Sequence, residues 1–309
     1  MNRISLGGLL LVLASCGGRG LMAEEEPYGK GLTEANEQRL VLDDMEDVSD
    51  WYNGSPEETT ISTSDRHVAE GRFSLKFANV VDHTKGEKNY PLGWPRTGKE
   101  LGKAGLSDWS DYDFFECNVY VETSRAALPG SPLGIGFHHS GSKRSSSFPL
   151  GMVQKNAWTK IVIPIAQLES AADVQRVQLS ISESEYKHGD RVDFFVDDMA
   201  LTRLVEPAVA RFQVDRKLLY ANDRQIRATY TMMGRKDLDT VSVELAIGLQ
   251  GEDAAAKVAA HAVRDGEFML PLRQRLTPGN YWARLGLRDG AGKLIDRSEV
   301  LFRVIEGPF

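Results

Sequence analysis

Cysteine is nearly missing from these 309 residues, with only Cys16 and Cys117 present. A disulfide framework is thereby excluded as the source of stability, and so is a cysteine-rich zinc site. Long apolar runs are missing too, and no internal segment has the length needed to cross a bilayer as a helix. There is no basic stripe or basic tail, so nucleic acid is not expected as a partner. Catalytic signatures are equally scarce: no nucleophile elbow, zinc-binding helix motif or dinucleotide fingerprint occurs. Residues 93–100 (Gly-Trp-Pro-Arg-Thr-Gly-Lys-Glu) imitate a phosphate-binding loop. Glu100 stands there where magnesium needs a Ser or Thr, and Pro95 interrupts the loop, so no nucleotide is expected. His138 and His139 suggest a metal, but neighbours on a strand face opposite sides and cannot converge on one ion.

What is present begins with a leader. Arg3 precedes an apolar stretch, Leu6 to Leu13, that is too short for a transmembrane helix. It ends in Leu13-Ala14-Ser15-Cys16, which matches a bacterial lipobox. On this reading residues 1–16 are a signal peptide, Cys16 is lipidated, and the protein is exported and membrane-anchored. Cleavage near Ala23 as an ordinary secretory signal is the alternative, with Leu21 a poor residue for that site. Cys117 then has no disulfide partner and is expected to be a small buried hydrophobe. The formal charge of −7 is uneven, roughly −9 over residues 1–204 and roughly +2 over 205–309. That shift predicts two modules.

Residues 17–38 lack periodicity and read as a flexible tether. From Leu40 onward, short alternating segments divided by Gly, Pro, Ser and Asp predict an all-β chain. Leu75 and Phe77 alternate with Ser74 and Lys76; Phe115, Cys117, Val119 and Val121 alternate with Glu116, Asn118 and Tyr120. Leu133, Ile135 and Phe137 alternate with Gly134, Gly136 and His138, and Val192 to Leu201 closes the module. Glu206-Pro207 marks the boundary, giving domains at 39–204 and 205–309. In the second, a Pro278-Gly279 turn leads into a strand, and the Gly-rich turn Asp289 to Gly292 leads into the last one.

Two acidic clusters bracket the first domain, Asp43-Asp44-Met45-Glu46-Asp47 and Asp193 through Asp197-Asp198. Between them sits Glu70-Gly71-Arg72-Phe73-Ser74-Leu75-Lys76-Phe77. This order resembles the galactose-binding-like jelly-roll sandwiches, the class that includes many carbohydrate-binding modules of glycoside hydrolases. The resemblance implies that the first and last strands lie side by side and that their carboxylates share a structural calcium ion. The implied ligands are Asp44, Glu46, Glu70 with the carbonyls of its turn, and Asp197 or Asp198, the last two pointing to opposite faces. It also implies that Trp158 is a core tryptophan ahead of Ile161-Val162-Ile163-Pro164, and that Trp109 and Tyr112 sit in a structural turn. The second domain resembles the immunoglobulin-like modules of exported bacterial proteins.

Glycan recognition needs flat apolar surfaces for pyranose faces, with amides and acids for the hydroxyls. The polar side of residues 115–121 supplies Glu116, Asn118 and Tyr120. The proline-stiffened stretch 89–96 supplies Tyr90, Trp94 and Arg96, and His138 and Tyr186 are further candidates. The expected function is thus non-catalytic polysaccharide binding. A structural or protein-interaction spacer lipoprotein is one alternative, and a β-sandwich glycoside hydrolase or lyase using Glu116 with a second carboxylate is another.

Overall fold

A computed structural model of the chain describes residues 37–85, 93–141, 145–234 and 238–307. Cys16, residues 17–36 of the tether and Tyr90 lie outside the described residues, whereas Glu37 and Gln38, assigned to the tether, open the first strand, Glu37–Asp43. Among the described residues the regular structure is entirely β apart from three single-turn 3-10 segments, and no helix is long and apolar enough to cross a membrane. The backbone divides into two compact units, residues 39–202 and 203–309.

The first unit contains β1 (Glu37–Asp43), β2 (Trp51–Asn53), β3 (Thr59–Ser64), β4 (Ser74–Val80), β5 (Arg96–Glu100), β6 (Phe114–Thr123), β7 (Gly134–His139), β8 (Ser145–Pro149), β9 (Thr159–Pro164), β10 (Val174–Ser180) and β11 (Arg191–Leu204). They form a jelly-roll sandwich of two sheets. One runs β3-β4-β11-β6-β9, with β1 also pairing β11; the other runs β2-β5-β10-β7-β8. The alternation read in the sequence is the reason. Phe115, Cys117, Val119 and Val121 of β6 are buried to 1% exposure or less, and Ile135 and Phe137 of β7 face them at 0%. Trp109 closes this core, stacked on Phe115 with ring centroids 5.6 Å apart and its indole N–H donated to the Leu106 carbonyl. Burial pushes the Cys117 thiol far up, so it is an inert core group.

Trp158 differs from the expectation. It lies outside the core cluster, half-buried on the outer side of the six-stranded sheet, edge-on to Tyr120 at 5.6 Å. The residue falls just before β9, and the strand's alternation sends its neighbour Thr159 inward instead.

The second unit contains β12 (Ala208–Val214), β13 (Leu218–Tyr220), β14 (Gln225–Met233), β15 (Ser242–Leu249), β16 (Ala254–His261), β17 (Asp265–Pro271), β18 (Gly279–Arg288) and β19 (Leu294–Ile305). Here a three-stranded sheet, β12-β14-β17, faces a five-stranded one, β13-β19-β18-β15-β16. Val243, Leu245, Ile247, Ala283, Leu285 and Leu287 share its core at 0% exposure.

Candidate functional site

The acidic brackets do come together, but on backbone amides. Glu46 Oε1 accepts from the Arg72 and Phe73 N–H groups (2.5 and 3.2 Å), and its Oε2 meets Arg72 Nε at 3.2 Å. Asp197 Oδ2 accepts from the Ala69 and Glu70 N–H groups at 2.8 and 3.1 Å. The turn at 69–73 is thus gripped from the first-strand side and the last-strand side at once. Gly71 is required there: its φ is +71°, and a β-carbon would lie 2.4 Å from Glu46 Oε1. Asp198, displaced by a bulge between Asp197 and Ala200, pairs with Arg39 at 2.6 Å.

These residues do not fit a calcium ion. Calcium needs six to eight converging oxygens. Glu46 and Asp198 are engaged by N–H groups and guanidinium, Asp44 accepts from the Glu46 amide, and Glu70 is exposed. Among the described residues no group of three or more His, Cys, Asp or Glu is placed to hold a metal. In this structure Asp44, Glu46, Glu70, Asp197 and Asp198 are not gathered into one ligand set: Glu46 and Asp197 face amides of the turn and Asp198 faces Arg39.

One oxygen of this clasp has a thermodynamic consequence. Asp197 is fully buried, its Oδ1 has no hydrogen-bond partner, and burial pushes its carboxyl up to about 6 against the opposing pull of the amides. The folded state therefore holds a proton that the unfolded chain releases, and stability falls as pH rises from about 4 to about 6. Glu58 acts in the same direction up to about 7, because burial and its hydrogen bond to Glu183 favour the protonated form. Melting curves across this range should show Tm declining by several degrees, with a shallower decline in Asp197→Asn and no shift on adding calcium to EDTA-treated protein. A flat wild-type profile, or a calcium-dependent rise, contradicts this account.

The candidate binding residues are divided between the two sheets. Glu116, Asn118 and Tyr120 share the outer side of the six-stranded sheet, and that side is largely occupied. Glu116 is 3% exposed and pairs with Lys160 at 2.9 Å. One face of Tyr120 is covered by the His67 ring, stacked at 3.9 Å. Tyr186 is a packing residue: it is 4% exposed, donates its hydroxyl to the Pro132 carbonyl and lies beneath Arg125. Burial pushes its phenol well up.

Trp94, Arg96 and His138 belong instead to the outer face of the five-stranded sheet, where register brings them beside residues the sequence did not single out. Tyr52 pairs with Gly98, which pairs with Gln178, which pairs with Gly136 across four strands. In the next row Glu100, Arg176, His138 and Ser145 are aligned in the same way. Glycines set the relief of this face. A β-carbon on Gly98 would come within 2.7 Å of the Tyr52 ring, and one on Gly54 within 2.6 Å of the Arg96 side chain. Their absence lets both side chains lie flat across the neighbouring strand.

Polar groups are held in fixed positions on this floor. The Tyr52 hydroxyl donates to Gln178 Oε1 at 2.7 Å, and the Arg176 guanidinium lies 5.6 Å from the Tyr52 ring centre. Arg96 lies 5.3 Å from the centre of the Trp94 ring, and Trp94 is 43% exposed. Burial and the neighbouring Arg176 charge push the His138 imidazole down, which favours its neutral form. The arrangement places an aromatic ring, an imidazole and two guanidiniums on the outer side of one sheet, with the Gln178 amide buried at 5% exposure and held by the Tyr52 hydroxyl. The alternation of Arg176, Gln178 and Ser180 was the sequence signal that would have flagged β10, but their neighbours Tyr52 and Gly98 come from strands far away in the chain. In the second unit a cleft of about 290 Å³ contains Trp282, but that ring is 5% exposed beneath Arg284 and presents no free face.

No family model and no curated protein matches this chain. Similar solved structures include the Caldicellulosiruptor saccharolyticus module CBM27-1 in complex with mannohexaose, 13% identical, covering 53% of this chain and 96% of that one with a TM-score of 0.32. The CBM22-1–GH10 modules of Clostridium thermocellum xylanase 10B, complexed with xylohexaose, are 17% identical over 50% of this chain and 26% of that one, TM-score 0.30. A β-glucuronidase from Ruminococcus gnavus is 9% identical over 88% of this chain, TM-score 0.30, and this chain spans about half (47%) of its length. Carbohydrate-binding modules and glycosidases are thus among the neighbours, at values too low to carry an inference about this chain's ligand.

Proposed function

We propose that the first unit is a non-catalytic carbohydrate-binding module whose site is the outer face of the sheet β2-β5-β10-β7-β8, carried on an exported lipoprotein anchored through Cys16. The observation that carries this reading is the row Tyr52, Gly98, Gln178 and Gly136, flanked by His138, Arg176, Arg96 and Trp94. A polysaccharide chain needs an open, preorganised surface with ring faces to stack on and directional groups for its hydroxyls. Tyr52 supplies a ring already fixed by its hydroxyl, so little conformational freedom is lost on binding.

A binding role rather than hydrolysis is supported by the placement of the acids. Glu100 is the single carboxylate on the five strands of this face. Glycoside hydrolysis uses two, about 5–10 Å apart across a bound sugar. The Glu58–Glu183 pair, elsewhere in the unit, is in direct hydrogen-bond contact, and Glu183 is fully buried and accepts from the Asp82 and Gly93 amides.

The test is affinity electrophoresis of the protein against a panel of neutral and acidic polysaccharides. Retardation by at least one polymer is expected, reduced several-fold in Trp94→Ala at unchanged Tm, because Trp94 is exposed and contributes little to packing. Equal retardation of Trp94→Ala and wild type by every retarding polymer removes Trp94 from the site.

A further inference from the structure

Resting on the carbohydrate reading for the use of this face, we infer that the contact between the Glu58 and Glu183 carboxyls is a proton-dependent tie between the two segments that carry Tyr52 and Trp94. The face is then fully assembled in mildly acidic solution and loosens as the pH rises.

Glu183 opens the short 3-10 turn after β10 and is fully buried. Its Oε1 accepts from the Asp82 amide at 3.0 Å and its Oε2 from the Gly93 amide at 2.7 Å. Its own N–H donates to the Gly93 carbonyl at 3.3 Å, so Gly93 is held through both its polar groups, and Trp94 is the next residue. Glu58 arrives from the other segment. It ends the 54–58 loop that leaves β2, the strand of Tyr52, and its carbonyl accepts from the Val80 N–H at 2.9 Å. The two carboxyls meet over Gly93: a β-carbon there would lie 2.3 Å from Glu183 Oε2 and 3.1 Å from Glu58 Oε2. Only a glycine leaves room for both.

Two carboxyls in contact cannot both be ionised without strong repulsion, so the contact requires a proton. Both Glu183 oxygens already accept from amides, which leaves the proton on Glu58, its O–H donated to Glu183. Glu58 Oε1 is buried and, among the described residues, has no hydrogen-bond partner, which further disfavours a charge there. Burial pushes the Glu58 carboxyl up to about 7, helped by the Glu183 contact and the Asp82 charge and opposed by Lys85. The other ionisable groups at this junction are Glu57, 3.7 Å from Lys85, His83, whose Nε2 lies 3.1 Å from the Glu183 carbonyl, and His188, 3.5 Å from Asp82.

A carboxyl raised in the folded state stabilises it at low pH, and that contribution is lost as pH rises through the folded value, here about 7. Beyond it Glu58 carries a second negative charge against Glu183. Glu183 is fully buried and fixed by two amides, whereas Glu58 is half-buried, so Glu58 is the group that swings away. The 54–58 loop then loses its hold on Gly93, and the ring of Tyr52 is no longer tied to the position of Trp94.

The experiment follows fluorine NMR of the full chain labelled with fluorotryptophan, with the Trp94 signal among the five tryptophans assigned by Trp94→Phe. In wild type that signal is expected to titrate with a midpoint near about 7. Glu58→Gln keeps a neutral donor toward Glu183 and leaves both histidines, and should hold the signal at its acidic position throughout. Retardation by a polysaccharide should fall several-fold in wild type between about pH 6 and about pH 8 and stay level in the variant. A Trp94 signal that does not titrate, one that titrates alike in Glu58→Gln, or retardation unchanged between the two pH values overturns the inference and leaves the carbohydrate reading in place. A signal that titrates as expected while no polymer is retarded at any pH supports the tie and overturns the carbohydrate reading. Because the wild-type titration can overturn the inference by itself, the outcome does not depend on how the variant folds.

Discussion

Tyr52→Ala is expected to weaken binding of the polysaccharide by about 30-fold, corresponding to a contact of about 2 kcal/mol at the centre of an interface. Three features concentrate the effect on this residue. Its ring lies flat across Gly98, its hydroxyl holds Gln178, and the Arg176 guanidinium lies 5.6 Å from its centre. Removing the ring deletes the stacking surface and also releases the amide and the guanidinium from their bound-like positions. Tyr52→Phe separates these contributions. It keeps the ring and the Arg176 contact but leaves Gln178 Oε1 without its donor, so a loss well below 10-fold is expected. Isothermal titration of both variants against the polymer that retards wild type measures the split. If Tyr52→Ala binds as wild type does, the site is not on this face.

The largest expected effect on stability is at Asp43. Its side chain is 3% exposed and serves three donors: the Met45 amide (2.8 Å), the Trp51 indole N–H (2.8 Å) and Lys99 Nζ (2.8 Å). Lys99 is itself 13% exposed, and its hydrogen bonds to Asp43 and Asp50 lift its ammonium above the ordinary lysine value despite the downward pull of burial. Asp43→Ala leaves a mostly buried ammonium with only the exposed Asp50 for company, and two further N–H groups unsatisfied. Breaking a buried pair on one side costs about 3–5 kcal/mol, which for a unit of this size lowers Tm by about 10 °C. Combining it with Lys99→Met should recover part of the loss, since no unpaired charge then remains. A thermal melt of the two single variants and the double gives the coupling directly; additive losses would mean that the pair is not the source.

Asp43 also shows how the acidic brackets should be understood. Their convergence was legible in the sequence, because carboxylates at both ends of a jelly roll meet when the first and last strands are neighbours. Their chemistry was not. Whether Glu46 and Asp197 meet carbonyl oxygens or N–H groups depends on the peptide orientation in the turn at 69–73, set by Gly71 at positive φ. Residue types alone are compatible with both.

The binding face divides in the same way. Strand alternation placed Glu116, Asn118 and Tyr120 together on one side of β6 and His138 on the outer side of β7, as found. It could not show that His67 stacks on Tyr120, because the segment carrying His67 is more than 50 residues away and reaches Tyr120 only through the pairing of β4, β11 and β6.

By itself the sequence determined which residues alternate into strands, which side of each strand is apolar, and that the fold is all-β, because these depend on neighbours within a few positions. The tertiary structure alone decided which strands are adjacent and in what register. That pairing sets Tyr52 beside Gly98, Gln178 and Gly136, residues drawn from four separate strands, and a shift of one residue in any of them would turn its contribution away from the face.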